Sequence, residues 1–125
     1  MKATLQCVVL DCPDDEVLAR FYHALLGGEV NRLDRRWGLG GGWSTLHLPN
    51  GLVLCFQRVA GYRPPRWPDP TAPQQSHLDL GVPDLDAAHG EALAAGAVLL
   101  DDSRKAWRVY ADPAGHPFCL VREAA

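Results

Sequence analysis

An α+β fold of two tandem β-α-β-β-β modules is predicted from two internal echoes and from the order of elements around them. Trp43-x5-Pro49-x-Gly51-x3-Cys55 returns as Trp107-x5-Pro113-x-Gly115-x3-Cys119, in register and without a gap. Upstream, Cys12-Pro13-Asp14 is echoed by Val82-Pro83-Asp84, which sets Cys7 opposite His77. The offset is 70 at the first echo (7 to 77) and 64 at the second (55 to 119), so the second copy has lost six residues. Self-similarity at a fixed offset decides architecture before any local motif does. Trp and Cys occur only four times each in 125 residues, which gives the matched positions their weight.

The elements follow in order. Residues 4–12 form a β-rich run closed by Pro13 and predict the first strand. Asp14 predicts an N-cap, with Asp15 and Glu16 at the positive end of the helix dipole. Val17, Leu18, Phe21, Tyr22, Leu25 and Leu26 then make a helical apolar stripe, stopped by Gly27-Gly28. Glu29 to Leu33 predicts a short strand, and Gly38 to Gly42 a glycine-rich loop. Trp43–Leu48 and Leu52–Val59 predict a hairpin turning at Pro49-Asn50-Gly51. Residues 60–75 hold five prolines (64, 65, 68, 70 and 73) and predict an extended, semi-rigid linker. The second copy predicts a strand at Ser76–Val82 and a helix capped by Asp84, carrying Leu85, Ala88, Ala92 and Leu93 and ended by Gly96. Strands follow at Ala97–Leu100, Ala106–Ala111 and His116–Val121. Each module covers one sheet face with its helix and leaves the other bare, so the copies are expected to associate.

Residues 1–125 are therefore expected to form one domain: a first module at 1–59, a linker at 60–75 and a second module at 76–125. A net charge of −3 and a pI near 5.9 argue against nucleic acid as a partner. The densest basic stretch, Arg32 to Arg36, is broken by Asp34 and is expected to be a solvated loop. No apolar run approaches the roughly 20 residues of a membrane span, and the first residues do not read as a signal peptide. Cys7, Cys12, Cys55 and Cys119 show no CxxC spacing, so buried thiols in a cytoplasmic protein are expected rather than disulfides.

Several motifs resemble the vicinal oxygen chelate superfamily, which includes glyoxalase I, extradiol dioxygenases, fosfomycin-resistance enzymes and bleomycin-binding proteins. His77-Leu78-Asp79-Leu80-Gly81-Val82-Pro83-Asp84 resembles the H-x-x-L-x-V-x-D that opens a module. Asp112-Pro113-Ala114-Gly115-His116-Pro117-Phe118-Cys119-Leu120 resembles the closing D-P-x-G-x-x-x-E-L, with cysteine where glutamate is usual. Phe21-Tyr22 before Leu25-Leu26-Gly27 is similar to the F-Y-x-x-L-L-G of a first helix. The stretch from Phe56-Gln57-Arg58 through Pro65-Arg66-Trp67-Pro68 to His77-Leu78-Asp79 is similar to the glyoxalase-like domain subgroup. The resemblance spans essentially the whole chain and implies the glyoxalase/bleomycin resistance/dioxygenase fold, a small-molecule ligand and a homodimer.

It also implies where a metal would sit, because metal-dependent relatives take one ligand from the first strand and one from the last strand of each module. Those positions are Cys7, Cys55, His77 and Cys119, and only His77 is the usual ligand. Three thiolates and one imidazole would make a closed, structural zinc set. The other outcome is a pocket without a catalytic metal, its cysteines serving as small apolar lining. Glyoxalase I activity is not expected, since no carboxylate occupies the base position and a metal-bound cysteine does not replace it. The expected function is a glyoxalase-like protein binding a small organic molecule without the usual metal. The alternatives are a lyase, isomerase or dioxygenase relative using His77 with cysteine ligands, and an antibiotic-sequestering protein of the bleomycin-resistance kind.

Strand alternation adds candidates. Asp79 shares a face with His77 and is an acid–base or orienting partner, or else an acceptor for Arg or Trp. Gln57 and Val53 share a face with Cys55, leaving Leu52, Leu54 and Phe56 to the helix. Trp43 and Trp107 are expected to pack in a core or interface. Trp67, on its stiff arm, is expected to dock on a partner subunit or close a cavity. With Gln57, Trp67 and Trp107 form the expected ligand-binding set. His116 is expected to stabilise a turn, His23 and His89 to face solvent, and Cys12 to lie in the core; His47 is left open.

Overall fold

The computed structural model describes residues 1–38 and 40–124, and the chain divides into two compact units, Met1–Tyr62 and Arg63–Ala125. Leu39 in the glycine-rich loop and Ala125 at the end of the second module lie outside the described residues. The first unit contains β1 (Val8–Cys12), α1 (Asp15–Leu26), β2 (Glu29–Val30), β3 (Trp43–His47) and β4 (Val53–Arg58). The second contains β5 (Leu78–Val82), α2 (Leu85–Ala95), β6 (Val98–Asp101), β7 (Trp107–Ala111) and β8 (Pro117–Arg122). Each unit is a β-α-β-β-β module with a four-stranded sheet, ordered β1-β4-β3-β2 and β5-β8-β7-β6. The outer β1–β4 and β5–β8 pairs are parallel and the remaining pairs antiparallel.

The two echoes hold at the level of register. Val9 pairs with Cys55 and Asp79 with Cys119 across the parallel pairs. Trp43 pairs with Gln57 and Trp107 with Val121 across the hairpins. Both helices begin as their capping signals predict. Asp14 and Asp84 are extended, and their carboxylates accept hydrogen bonds from the second and third residues beyond.

The first unit's core lies between α1 and its sheet. Leu18, Ala19, Phe21 and Tyr22 are buried, and Tyr22 stacks on Phe56 at 5.9 Å with 10° between the rings. Buried Asp15 accepts hydrogen bonds from Ser44 Oγ at 2.6 Å and Arg58 Nε at 3.2 Å. In the second unit Tyr110 stacks on Phe118 at 5.6 Å, and the Tyr110 hydroxyl meets His89 Nδ1 at 2.7 Å. Tying α2 to β7 in this way half-buries His89, which does not stand free in solvent as expected. Among the described residues no helix is long and apolar enough to cross a membrane.

Several boundaries differ from expectation for local reasons. β1 starts at Val8 instead of residue 4, its first partner on β4 being Leu54. β5 starts at Leu78, since Leu78 pairs with Phe118 and the preceding pairing would fall on Pro117, which has no N–H to donate. β2 ends at Val30 because Asn31 turns to φ 55. Asn31 Oδ1 then accepts from Thr45 N at 2.9 Å, and its own N–H donates to Thr45 O at 2.8 Å, replacing the ladder. Leu52 was expected on the helix side, but it lies at the hairpin turn and is 59% exposed.

The repeated glycine of the β7–β8 turn has a steric cause. Gly115 sits at φ +88, and a Cβ there would come within 2.7 Å of Pro64 Cβ, so this turn receives the start of the proline-rich arm. Gly115→Ala should cost about 1–3 kcal/mol from backbone strain alone. Gly90→Ala, on exposed α2 with open space around it, should stabilise by about 0.5–1 kcal/mol. Urea unfolding midpoints of the two variants, moving in opposite directions, check both.

Candidate functional site

In the second unit the alternation of β7 and β8 sends Tyr110, Phe118 and Leu120 to the helix and Trp107, Val109, Pro117 and Cys119 to the opposite face. That face floors a cleft of about 190 Å³. Trp67, Gln74 and His77 complete its lining. The volume equals about six waters at ~30 Å³ each, so the cleft suits a molecule well below drug size. Trp67 is held here by the arm that packs against Gly115. Trp107, expected to pack in a core or an interface and to contact a ligand, is 41% exposed and lines this cleft.

Polar groups converge at one side. His77 Nε2 lies 3.3 Å from Asp79 Oδ1, with the side chains 42% and 62% exposed. Donor atoms of His77, Asp79 and Cys119 all lie within 4.8 Å of one another. Burial pushes the Cys119 thiol from 9.0 up to about 11, and the neighbouring Asp79 carboxylate adds to the rise by charge and hydrogen bonding. Gln74 was missed by the sequence reading; its Oε1 is buried without a hydrogen-bond partner among the described residues. Nothing in the Pro73-Gln74-Gln75 stretch distinguishes it before the arm is folded back onto the sheet.

In the first unit the face of β3 turned away from α1 carries Trp43, Thr45 and His47, while Ser44 and Leu46 face the helix. Cys55 lies opposite Thr45, and Gln57 opposite Trp43. Gln57 is exposed at the end of β4. The Cys55 thiol is pushed up to about 12 by burial, then by a hydrogen bond with Cys7, which places those two cysteines together. His47 is only 3% exposed, and its Nε2 meets Asp34 Oδ2 at 3.2 Å. Asp34 also accepts from Arg36 Nε at 3.0 Å and Arg36 NH2 at 2.7 Å, and Arg36 lies over the Trp37 ring at 4.3 Å. Arg32, Arg35 and Arg36 are exposed, as a solvated loop requires, and Arg36 is in addition held by Asp34 and lies over Trp37. Trp43 Nε1, Thr45 Oγ1 and His47 Nδ1 are buried without hydrogen-bond partners among the described residues. Each such group costs about 1–3 kcal/mol.

The four expected metal positions thus fall into two pairs, Cys7 with Cys55 in the first unit and His77 with Cys119 in the second. Asp79 joins the second pair as a third donor. His116 serves its turn, its N–H donating to buried Asp112 Oδ1 at 3.0 Å. Cys12 is fully buried in the core, as expected.

The raised thiols make stability fall at high pH. The unfolded chain ionises cysteines near ~8.5. In the folded chain Cys12 and Cys119 hold their protons to about 11 and Cys55 to about 12. The folded state therefore binds more protons between these limits, and stability present at lower pH is lost as pH rises through them. Urea midpoints should drop from about pH 8 to pH 10, with a shallower drop in Cys55→Ala. A flat profile would contradict the burial of these thiols.

A model of the glyoxalase-like domain matches residues 7–121. No protein of curated function matches the sequence. Among solved structures, a glyoxalase/bleomycin resistance protein/dioxygenase family enzyme from Burkholderia phytofirmans PsJN is similar, with TM-score 0.71 and 16% identity, covering 96% of this chain and 98% of that one. A glyoxylase/bleomycin resistance protein/dioxygenase domain from Frankia sp. EAN1pec gives 0.64 and 22%, covering 99% and 100%. The E126Q mutant of the fosfomycin resistance protein FosX from Listeria monocytogenes, complexed with Mn(II) and 1S,2S-dihydroxypropylphosphonic acid, gives 0.69 and 13%, covering 97% and 90%. The paired β-α-β-β-β modules and the family match together place the chain in the glyoxalase-like domain family of the vicinal oxygen chelate superfamily.

Proposed function

We propose that the protein binds a small, largely flat organic molecule in the cleft of its second unit, without the metal that glyoxalase chemistry needs. One observation carries this: two indoles, Trp67 and Trp107, wall a cleft that Gln74 also lines, and the Gln74 Oε1 acceptor is buried without a hydrogen-bond partner among the described residues. Indoles supply apolar contact area, and an orphaned acceptor favours a ligand that brings an N–H or O–H. Asp79 orients the His77 imidazole at the rim. Both side chains are substantially exposed, so water screens the pair and suits it to recognition more than to proton transfer. At the two glutamate positions of the family pattern stand Cys55 and Cys119, whose protons are held on by burial. The cytoplasm, where free cysteines stay reduced, is the compartment this composition suits. Homodimerisation, implied by the resemblance, belongs to the same proposal and is read by light scattering on dilution.

Benzamide, an aromatic ring with an amide N–H, is a suitable probe, and N,N-dimethylbenzamide is its donorless control. Benzamide should quench tryptophan fluorescence and bind more tightly than the control. Trp67→Ala or Trp107→Ala should weaken it about threefold to tenfold, as loss of one aromatic contact predicts. Equal binding of the two amides, or wild-type affinity in both variants, would sink the proposal.

A second possibility is favoured by the clustering of His77, Asp79 and Cys119 within 4.8 Å. One nitrogen, one oxygen and one sulfur donor suit a borderline divalent cation such as zinc and leave a position open. These three residues would hold it, and a bound ion would supply Lewis-acid polarisation of a ligand oxygen. It predicts one equivalent of zinc per chain after dialysis against the metal, lost in both His77→Ala and Cys119→Ser. Cobalt substitution should then show a thiolate absorption band that Cys119→Ser abolishes. Zinc retained at full stoichiometry in both variants would remove this reading.

A further inference from the structure

We infer that Cys7 and Cys55 form an oxidative modification site in the first unit, closing to a reversible disulfide when a peroxide serves as oxidant. The parallel register sets Val9 beside Cys55, and Cys7 stands two residues earlier, at the alternate position that returns to the same face. A hydrogen bond joins the two thiols. The second unit repeats the arrangement: Asp79 lies beside Cys119, and the donor atoms of His77 and Cys119 lie within 4.8 Å of each other. Side chains at these two positions therefore meet in both units, and only the first unit has a thiol at each.

A disulfide asks for Cα atoms about 4.4–6.8 Å apart, whereas diagonal neighbours on paired strands stand about 7–8 Å apart. One of the two cysteines must shift slightly to close the bond. Cys7 is free to do so, because β1 begins at Val8 and leaves it ahead of the ladder. Cys55 is held inside β4, with β1 on one side and β3 on the other. Exposure divides the roles in the same way. Cys7 is partly exposed and Cys55 fully buried, so a peroxide meets Cys7 first. The Arg36 guanidinium acts on both sulfurs and favours their anionic form; Asp34 opposes it at Cys55, more weakly.

The chemistry runs in two steps. The Cys7 thiolate attacks a peroxide oxygen: an S–O bond forms, the O–O bond breaks, and the departing hydroxide takes up a proton as water. The sulfur is thereby oxidised to a sulfenic acid and the peroxide reduced. The Cys55 sulfur then displaces hydroxide from Cys7: the S–S bond forms and the S–O bond breaks. The Cys55 proton leaves with that hydroxide as the second water, so Cys55 need not ionise beforehand. In sum, two thiols and one hydrogen peroxide give one disulfide and two waters. A dithiol such as dithiothreitol restores both thiols and is itself oxidised to a cyclic disulfide. The other cysteines stand apart from this chemistry. Cys12 is buried on the helix side of its sheet, donating to the Gln57 carbonyl at 3.4 Å, and Cys119 is the only cysteine of the second unit. The site does not depend on the ligand cleft proposed for the second unit.

The test treats the reduced protein with hydrogen peroxide and counts its free thiols after unfolding, using a chromogenic disulfide reagent. The count should fall from four to two, with the monomer lighter by two hydrogens, and dithiothreitol should restore it. A protease that cuts before Asp11 separates Cys7 from Cys12, and the joined peptides should hold Cys7 and Cys55. Cys7→Ser should keep its three thiols under the same treatment. In Cys55→Ala the sulfenic acid has no partner, so dimedone should label Cys7 there and not in the wild type. Cys7 is partly exposed, so Cys7→Ser decides the matter even if Cys55→Ala does not fold. A wild-type count that stays at four would overturn the inference. So would a bond mapped to Cys12, to Cys119 or between chains, loss of thiols in Cys7→Ser, or equal dimedone labelling of Cys7 in wild type and Cys55→Ala.

Discussion

The structure depends on the register of its two parallel strand pairs, Val9 against Cys55 and Asp79 against Cys119. Side chains alternate along a strand with period two, so a slip of one residue would turn the candidate site residues those strands carry, such as Cys55, Asp79 and Cys119, toward the helix. The register is held by what the opposite faces bury. Phe56 and Phe118 stack on Tyr22 and Tyr110, and each aromatic fits only one parity. Core packing and site geometry are therefore one constraint seen from two sides of each sheet. The same coupling explains how a duplicated module can diverge in its site while its core pattern persists.

Most of the fold was legible because the signals that mark it are local. Capping aspartates, paired glycines and the Pro-x-Gly turns each act within a few residues, and each was found where its chemistry predicted. Strand ends were less legible because they depend on partners far along the chain: Val8 needs Leu54, and the stop before Leu78 depends on Pro117. The site was legible in part. Alternation alone paired His77 with Asp79, and the echo pointed to Cys55 and Cys119. Gln74 and the His47–Asp34 pair were not legible, since each acquires its role only when a loop folds back against a sheet.

At two of the positions where relatives supply carboxylates, burial raises cysteine thiols to about 11 and about 12. Near Cys119 stands an exposed imidazole–carboxylate pair, and its His77 lines the same cleft as Trp67 and Trp107. The duplication has left two sheet faces of unlike character, one with aromatic walls and an orphaned amide oxygen, the other with a buried histidine held by an acid.

The central claim is that recognition in the second unit needs no metal, and calorimetric titration of benzamide into the protein tests it most directly, once after exhaustive chelation and once after zinc loading. The account predicts the same affinity in both, with zinc failing to enhance binding. Binding that disappears on chelation and returns with one equivalent of zinc would contradict it.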